Sequence, residues 1–307
     1  MVNEKSAVII PKKKMKYTRD DKIYYALVYS FLGVFLVVIL YPLIYVLSAS
    51  FSSATAVTSG RVFLWPVEPG LAGYKAVFKH PLILTSYRNT FVYTIVGTLI
   101  NLGMTMIAAY PLSRRDLPLN GLFMFLFTFT MLFNGGMIPD YILMRNLGFI
   151  DTIWALVIPG AINVFNLIIA RTFLMSSIPP ALLEASQIDG CSDFRYFTTI
   201  LLPLAKPVMA VITLYYAVAH WNNYFTAFLY LNSYPKMPLQ LILREILKAN
   251  SMDTSMVVDL AMSEQTQNLA DLLKYSLIIV SSVPVLMLYP FVKKFFAKGV
   301  MVGSIKG

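Results

Sequence analysis

Six stretches of the chain are apolar almost without interruption: Ile23–Leu47, Thr90–Leu112, Gly121–Ile138, Ile153–Ala170, Pro207–Leu231 and Tyr275–Val292. None contains Asp, Glu, Lys or Arg, and His220 is the one imidazole among them. Crossing about 30 Å of hydrocarbon takes roughly 20 residues at 1.5 Å each, which these stretches match. A core helix of a soluble protein would show one apolar stripe and a charged opposite face. The pattern predicts an all-α polytopic membrane protein with six transmembrane helices. The first stretch has the basic start of a secretory leader, but its length exceeds the roughly 7 to 15 residues of a leader core, so it reads as a retained helix.

The connecting segments carry their own patterns. Ser48–Asn89 and Asn232–Lys274 are each about 40 residues long, more than a simple connection needs. The first holds Phe63, Trp65, Pro66, Pro69 and Tyr74, which predicts a compact cap. In the second, Leu239, Ile242, Leu243, Ile246 and Leu247 follow Pro238 at helical spacing. That predicts an amphipathic helix that lies on the membrane surface, receives an external partner or closes the bundle. Gly135-Gly136 and Pro139 terminate the third stretch. A further loop, Ser177 to Pro203, predicts two short helices: Ser177 caps the first, Gly190 reverses the chain and Ser192 caps the second.

Charge sets the orientation. The chain has 307 residues, 25 Lys+Arg and 15 Asp+Glu, a formal +10, although only 13% of it is charged and 58% is hydrophobic. With six spans, residues 1–22, the Arg114-Arg115 turn, the loop from Arg171 to Lys206 and the tail 293–307 share one side. That side holds 16 cations against 7 anions, and the other holds 9 against 8. Cations collect on cytoplasmic flanks, so both termini are predicted cytoplasmic. The positive charge is topogenic, with anionic membrane lipids as a secondary partner of the N-terminus, and it is no nucleic-acid footprint. Cys191 is the only cysteine, which excludes an internal disulfide. The resulting organisation is a basic N-terminus over 1–22 and a transmembrane domain over 23–292. That domain includes the cytoplasmic loop 176–204 and the external loops 48–89 and 232–274, and the tail 293–307 follows it.

The loop string Glu184-Ala185-Ser186, three residues, Gly190, nine residues, Ile200, one residue, Leu202-Pro203 resembles the EAA loop of the permease subunits of ATP-binding-cassette (ABC) importers. Ser186 stands where alanine is common and keeps the side chain small. The resemblance implies the type I importer permease fold, with the bent loop as a coupling helix in a groove of an ATPase subunit. It also implies that Glu184, Ala185, Ser186, Asp189 and Gly190 carry that contact. The tail, with Lys298, Gly299, Gly303 and Lys306, is similar to that of sugar permeases and implies a second contact with the ATPase. Gly135-Gly136-Met-Ile-Pro139, Asn146-Leu-Gly148 and His220-Trp221-Asn222 are similar to one oligosaccharide branch. The implied partners are a homologous second permease, two ATPase subunits that hold the ATP and Mg, an extracytoplasmic solute-binding protein and a carbohydrate. The implied location is the bacterial plasma membrane.

Polar residues at mid-span mark a candidate solute path, because buried polar groups in a bilayer are costly unless paired or facing water. The midpoints of spans two, four and five fall at Asn101, beside Asn163 and beside His220. Tyr216, His220, Asn223 and Tyr224 are expected on one helical face, with Trp221 and Asn222 adjoining, and Asn166 lies one turn from Asn163. Amides and imidazole exchange hydrogen bonds with sugar hydroxyls while aromatic rings cover the C–H faces. Interhelical polar contact is the competing explanation.

The chain has no phosphate-binding Gly-x-x-x-x-Gly-Lys-Ser/Thr loop and no His-Glu-x-x-His. The expectation is therefore a non-enzymatic permease without a cofactor or metal of its own. A peptide or amino-acid ABC importer and an autonomous carrier remain as alternatives, with a membrane enzyme acting on lipid-linked glycans behind them.

Overall fold

The computed structural model describes residues 18–252 and 272–287, and every regular element among them is helical. The helix α1 (Arg19–Ser50) starts in a capping box. Thr18 Oγ1 accepts from Asp21 N, and the Asp21 carboxylate accepts from Thr18 N at 2.9 Å. Its 32 residues reach about 48 Å. Only Ser48, Ala49 and Ser50 are buried, so the apolar length faces outward all round.

The segment predicted to be the first external loop folds back into a compact cap. Here α2 (Ala54–Thr58) and α3 (Ala72–Lys79) join the end of α1, with Ala49, Ala56, Val57 and Val62 forming a small core. Ser48 Oγ donates to Leu64 O at 2.6 Å, and Ser52 Oγ accepts from Val67 N at 3.1 Å.

The central strut is α4 (Ile83–Ser113), whose buried face carries Thr90, Thr94, Gly97, Thr98, Asn101 and Thr105. Small and polar residues three and four apart let neighbours approach closely. Accordingly α4 packs most extensively on α12 (Lys206–Trp221) and α8 (Val164–Ser177). Met106, Ala109, Leu167, Leu174, Val208 and Ile212 fill the core between them.

Among the described residues, α1 and α4 are the only unbroken apolar helices long enough to span. The third predicted span is α5 (Asn120–Leu132), about 20 Å long, which turns 110° into α6 (Met137–Asn146). Asn134 Oδ1 accepts from Gly136 N at 2.7 Å, and Gly136 adopts φ +93° at the turn. The fourth predicted span is not one helix. After α7 (Trp154–Val157) the chain unwinds past Pro159 and Gly160, φ +78°, and α8 begins behind Asn163. Proline removes a donor and glycine opens the left-handed region, which together break the ladder. The fifth also stops, at Trp221, and resumes as α13 (Phe225–Tyr230). The start of the sixth is α15 (Leu272–Met287), and the remainder of that predicted span lies outside the described residues.

Pro238 is followed by α14 (Leu239–Met252), as the spacing predicts. Leu239, Ile242 and Leu243 pack with Val77, Ile83, Trp221 and Leu277, so the apolar face closes the bundle.

Candidate functional site

The loop at the predicted cytoplasmic end is a bent pair. The chain turns 75° from α8 into α9 (Pro180–Ile188), then reverses at Gly190, φ +70°, into α10 (Asp193–Tyr196). Cys191 N donates to Ser186 O and Gly190 N to Gln187 O, at 2.9 and 3.1 Å, the two bonds of a Schellman turn. Ser192 Oγ caps α10 by accepting from Arg195 N at 3.3 Å. Ser177 does not cap α9: it is the last residue of α8, and Pro179 holds the capping position because α9 starts at proline. A π-helical turn, Phe197–Leu201, and the short α11 (Leu202–Leu204) lead through an 81° bend into α12.

Glu184, Ala185, Asp189 and Gly190 are exposed on this loop. Ser186 is not: it is buried, and its hydroxyl donates to Leu183 O at 2.7 Å, so it shapes the loop from within. Sequence reasoning missed Ile188 and Phe194, apolar side chains that are 87% and 77% exposed beside Asp189 and Asp193. The signal available was an isoleucine and a phenylalanine flanking the Gly190 turn among Gln187, Asp189, Ser192, Asp193 and Arg195. Lys298, Gly299, Gly303 and Lys306 lie outside the described residues.

The second site is a cavity of about 470 Å³ in the middle of the bundle. It gathers Asn101, Asn163, Tyr216, His220 and Asn223 from the predicted path. Its wall contains the interruptions of the third, fourth and fifth predicted spans: Asn134 before α6, Pro159, Gly160 and Asn163 before α8, and Asn223 before α13. Unwound backbone at membrane depth is tolerated where it borders a cavity, so the breaks and the cavity explain one another. Asn163 Oδ1 accepts from Asn166 N at 3.1 Å and Asn223 Oδ1 from Thr226 N at 3.2 Å, each restarting a helix.

Tyr216 links three elements, since its hydroxyl bonds Thr105 Oγ1 at 2.6 Å and accepts from Asn163 N at 3.0 Å. Asn101 Nδ2 lies 3.3 Å from His220 Nε2, while the buried Asn101 Oδ1 has no protein partner. Leaving such an acceptor unmet costs about 1–3 kcal/mol. Among the lining residues Asp140 is the charged one, and Asn134, Thr226 and Tyr230 join it as wall residues that the sequence reading missed. Asn-Gly-Gly, Pro-Gly and Asn-Asn interrupting apolar stretches were the legible signal.

Four predicted path residues are elsewhere. Asn166 is buried behind the capping turn. Trp221 is buried against Phe91, ring centroids 5.2 Å apart, and its Nε1 donates to Ser281 O at 2.9 Å. Asn222 is the exposed cap of α12. Tyr224 points to the α14 side, where the Arg244 guanidinium sits 5.3 Å from its ring. Helical projection fails past Trp221 because the helix ends there.

At the predicted outer end, Asp151, φ +59°, ties the third connection to the start of the last. Its carboxylate accepts from Asn232 N and Ser233 N, both at 3.0 Å, from Ser233 Oγ at 2.7 Å and from Lys236 Nζ at 2.6 Å. Lys236 first, then Ser233, holds this carboxyl well below the usual carboxylate range.

No family model matches the chain. It is 41% identical over 288 residues to the polygalacturonan/rhamnogalacturonan transport system permease protein YtcP of Bacillus subtilis, covering 94% of this chain and 99% of that one. The chain belongs to the ABC sugar-transport permeases. This permease is also 39% identical over 298 residues to Protein LplC of the same organism, covering 95% and 98% of the two chains. Its fold matches a crystal structure of a bacterial ABC transporter involved in the import of the acidic polysaccharide alginate. The TM-score is 0.82 at 36% identity, over 92% of the permease and 100% of that chain.

Proposed function

We propose that this permease is one half of the membrane path of a binding-protein-dependent ABC importer for an oligosaccharide. The observation that carries the reading is the convergence of three helix interruptions on one polar cavity lined by Asn101, Asn163, Tyr216, His220 and Asn223. Carbohydrate is supported by relatives named for polygalacturonan, rhamnogalacturonan and alginate.

In this reading the chain crosses a bacterial plasma membrane six times with both termini in the cytoplasm, and a homologous permease supplies the other wall. Two ATPase subunits bind ATP and Mg and receive the loop through Glu184, Ala185, Asp189 and Gly190, with Ile188 and Phe194 as apolar anchors. The tail residues Lys298, Gly299, Gly303 and Lys306 make a second ATPase contact. A solute-binding protein delivers sugar to the outer face. ATP binding favours the outward-open state and hydrolysis products the inward-open one, so the cavity is exposed to each side in turn. Asn101, Asn163, Tyr216, His220 and Asn223 exchange hydrogen bonds with sugar hydroxyls as the solute passes.

The test is gentle detergent purification of the tagged chain from its native membrane, with mass spectrometry of its companions and oligogalacturonate uptake by the source cells. A second permease and an ATPase, lost with Glu184→Lys or Gly190→Pro while the variant still inserts, are the expected result. A stable homo-oligomer that transports solute without ATP would overturn the reading.

A further inference from the structure

The cytoplasmic loop is attached to the bundle in two ways. Along the chain it runs through the wide turns of Phe197–Leu201 and the 81° bend at Ala205, two irregularities in series that absorb displacement. Across space it is held by Arg114, the residue that ends α4. Arg114 Nη1 donates to Asp193 Oδ1 at 2.7 Å, and Asp193 is the first residue of α10. The guanidinium is fixed on its other edge by Asp116, with Nε to Oδ1 at 2.9 Å and Nη2 to Oδ2 at 2.5 Å. It also lies 5.8 Å from the Tyr110 ring, whose hydroxyl donates to the same Asp193 oxygen at 3.2 Å. An isolated exposed ion pair is worth little, but this one is a forked network on a guanidinium that is only 17% exposed.

The receiving end is equally anchored. Leu112 O accepts from Arg171 Nε of α8 at 2.8 Å and from Asn120 Nδ2 at 2.9 Å, so the tip of α4 cannot slide independently of its neighbours. Nine residues up the same helix, about 13 Å, Thr105 bonds the Tyr216 hydroxyl in the cavity wall. A contiguous bonded chain thus runs from the first residue of α10 to the solute cavity.

We propose that Arg114 is a positioning residue that transmits movement of the cytoplasmic loop to α4 and so to the cavity, bypassing the compliant α11–α12 joint. The inference rests on the importer reading of the preceding subsection, and the experiment separates the two. The purified complex carrying Cys191→Ser and Thr226→Cys, a thiol on the cavity wall, is labelled with a membrane-impermeant maleimide in proteoliposomes, with and without ATP–vanadate. ATP hydrolysis is measured on the same sample. The parent complex is expected to show a nucleotide-dependent labelling rate. A chain that retains no ATPase, or a rate indifferent to nucleotide, overturns the importer reading and this inference with it.

Given a responsive parent, Arg114→Ala is expected to keep its ATPase subunits and hydrolysis while its nucleotide-dependent change in labelling falls by about tenfold, within the range of single coupling contacts. Asp193→Ala should lose as much, and the double variant no more than either. Arg61→Ala, which breaks an exposed pair in the outer cap, should respond like the parent. A parent-like response in Arg114→Ala, or losses that add in the double variant, overturns the inference alone. Loss of the ATPase subunits from both single variants and from Arg114→Lys would assign the pair to docking and likewise overturn it.

Discussion

A methyl group at Gly97 tests whether the α4–α12 contact is as close as the cavity geometry requires. A Cβ built there lies 2.4 Å from His220 Nε2, 2.5 Å from Cε1 and 2.8 Å from Cδ2, where ordinary contact begins near 3.4 Å. Either the helices separate or the ring withdraws by about 1 Å. Separating two packed helices costs about 1–3 kcal/mol. Turning the ring gives up its contact with Asn101, about 0.6 kcal/mol in a membrane setting, and a strained rotamer adds about 1 kcal/mol. The cavity of about 470 Å³ has room for the imidazole, so the second route is the cheaper. Gly97→Ala should therefore lower stability by about 1–2 kcal/mol, and it should depress solute uptake more than complex assembly because the ring now stands in the path. Thermal unfolding of the complex in detergent, measured for Gly97→Ala, His220→Ala and the double variant, reads the pair directly. With the ring gone the methyl has no obstacle, so the double variant should be as stable as His220→Ala alone. Losses that add across the two sites would refute the argument, since independent sites add and clashing ones do not.

Asp151→Ala should cost about 2 kcal/mol, because it leaves the Asn232 and Ser233 backbone donors and the Ser233 hydroxyl without their acceptor and leaves Lys236 Nζ only the Asp151 carbonyl; urea unfolding of the reconstituted chain would measure it. Lys236 and Ser233 lower the Asp151 pKa in the fold, so its contribution is complete above the unfolded carboxylate value near 4 and disappears as pH falls through the lower folded value. The stability gap between the parent and Asp151→Ala should accordingly be flat above about pH 5 and close only below about pH 4. Tyr216→Phe removes the partner of Thr105 and of Asn163 N and should cost about 1–2 kcal/mol, with solute uptake reduced further than ATP hydrolysis in the same vesicles. Ile188→Asp, on a side chain that touches little of its own chain, should change stability by less than about 0.5 kcal/mol yet strip the ATPase subunits during purification; retention of those subunits would remove Ile188 from the contact.

Much of this protein is legible along the chain because it depends on local chemistry. Six apolar stretches follow from the cost of putting charge into hydrocarbon. The loop turn at Gly190 and its cap at Ser192 follow from backbone sterics and one side-chain oxygen, and both stand as the spacing indicates. The amphipathic run after Pro238 forms its helix, but which of three surfaces its apolar face would meet was settled by packing on Val77, Trp221 and Leu277. The spans themselves were read as continuous helices from their hydropathy, and there the local signal misleads. Apolar composition measures insertion, whereas helix continuity depends on whether a neighbouring cavity can accept unwound backbone. That is why Asn163 is a helix cap rather than a mid-helix group, and why Tyr224, beyond the end of α12, leaves the face that Tyr216 and His220 share. Sequence placed the polar residues at one depth. The tertiary structure decided which of them meet, since a helical projection holds only until the helix stops and a contact such as Gly97 against His220 joins residues 123 positions apart.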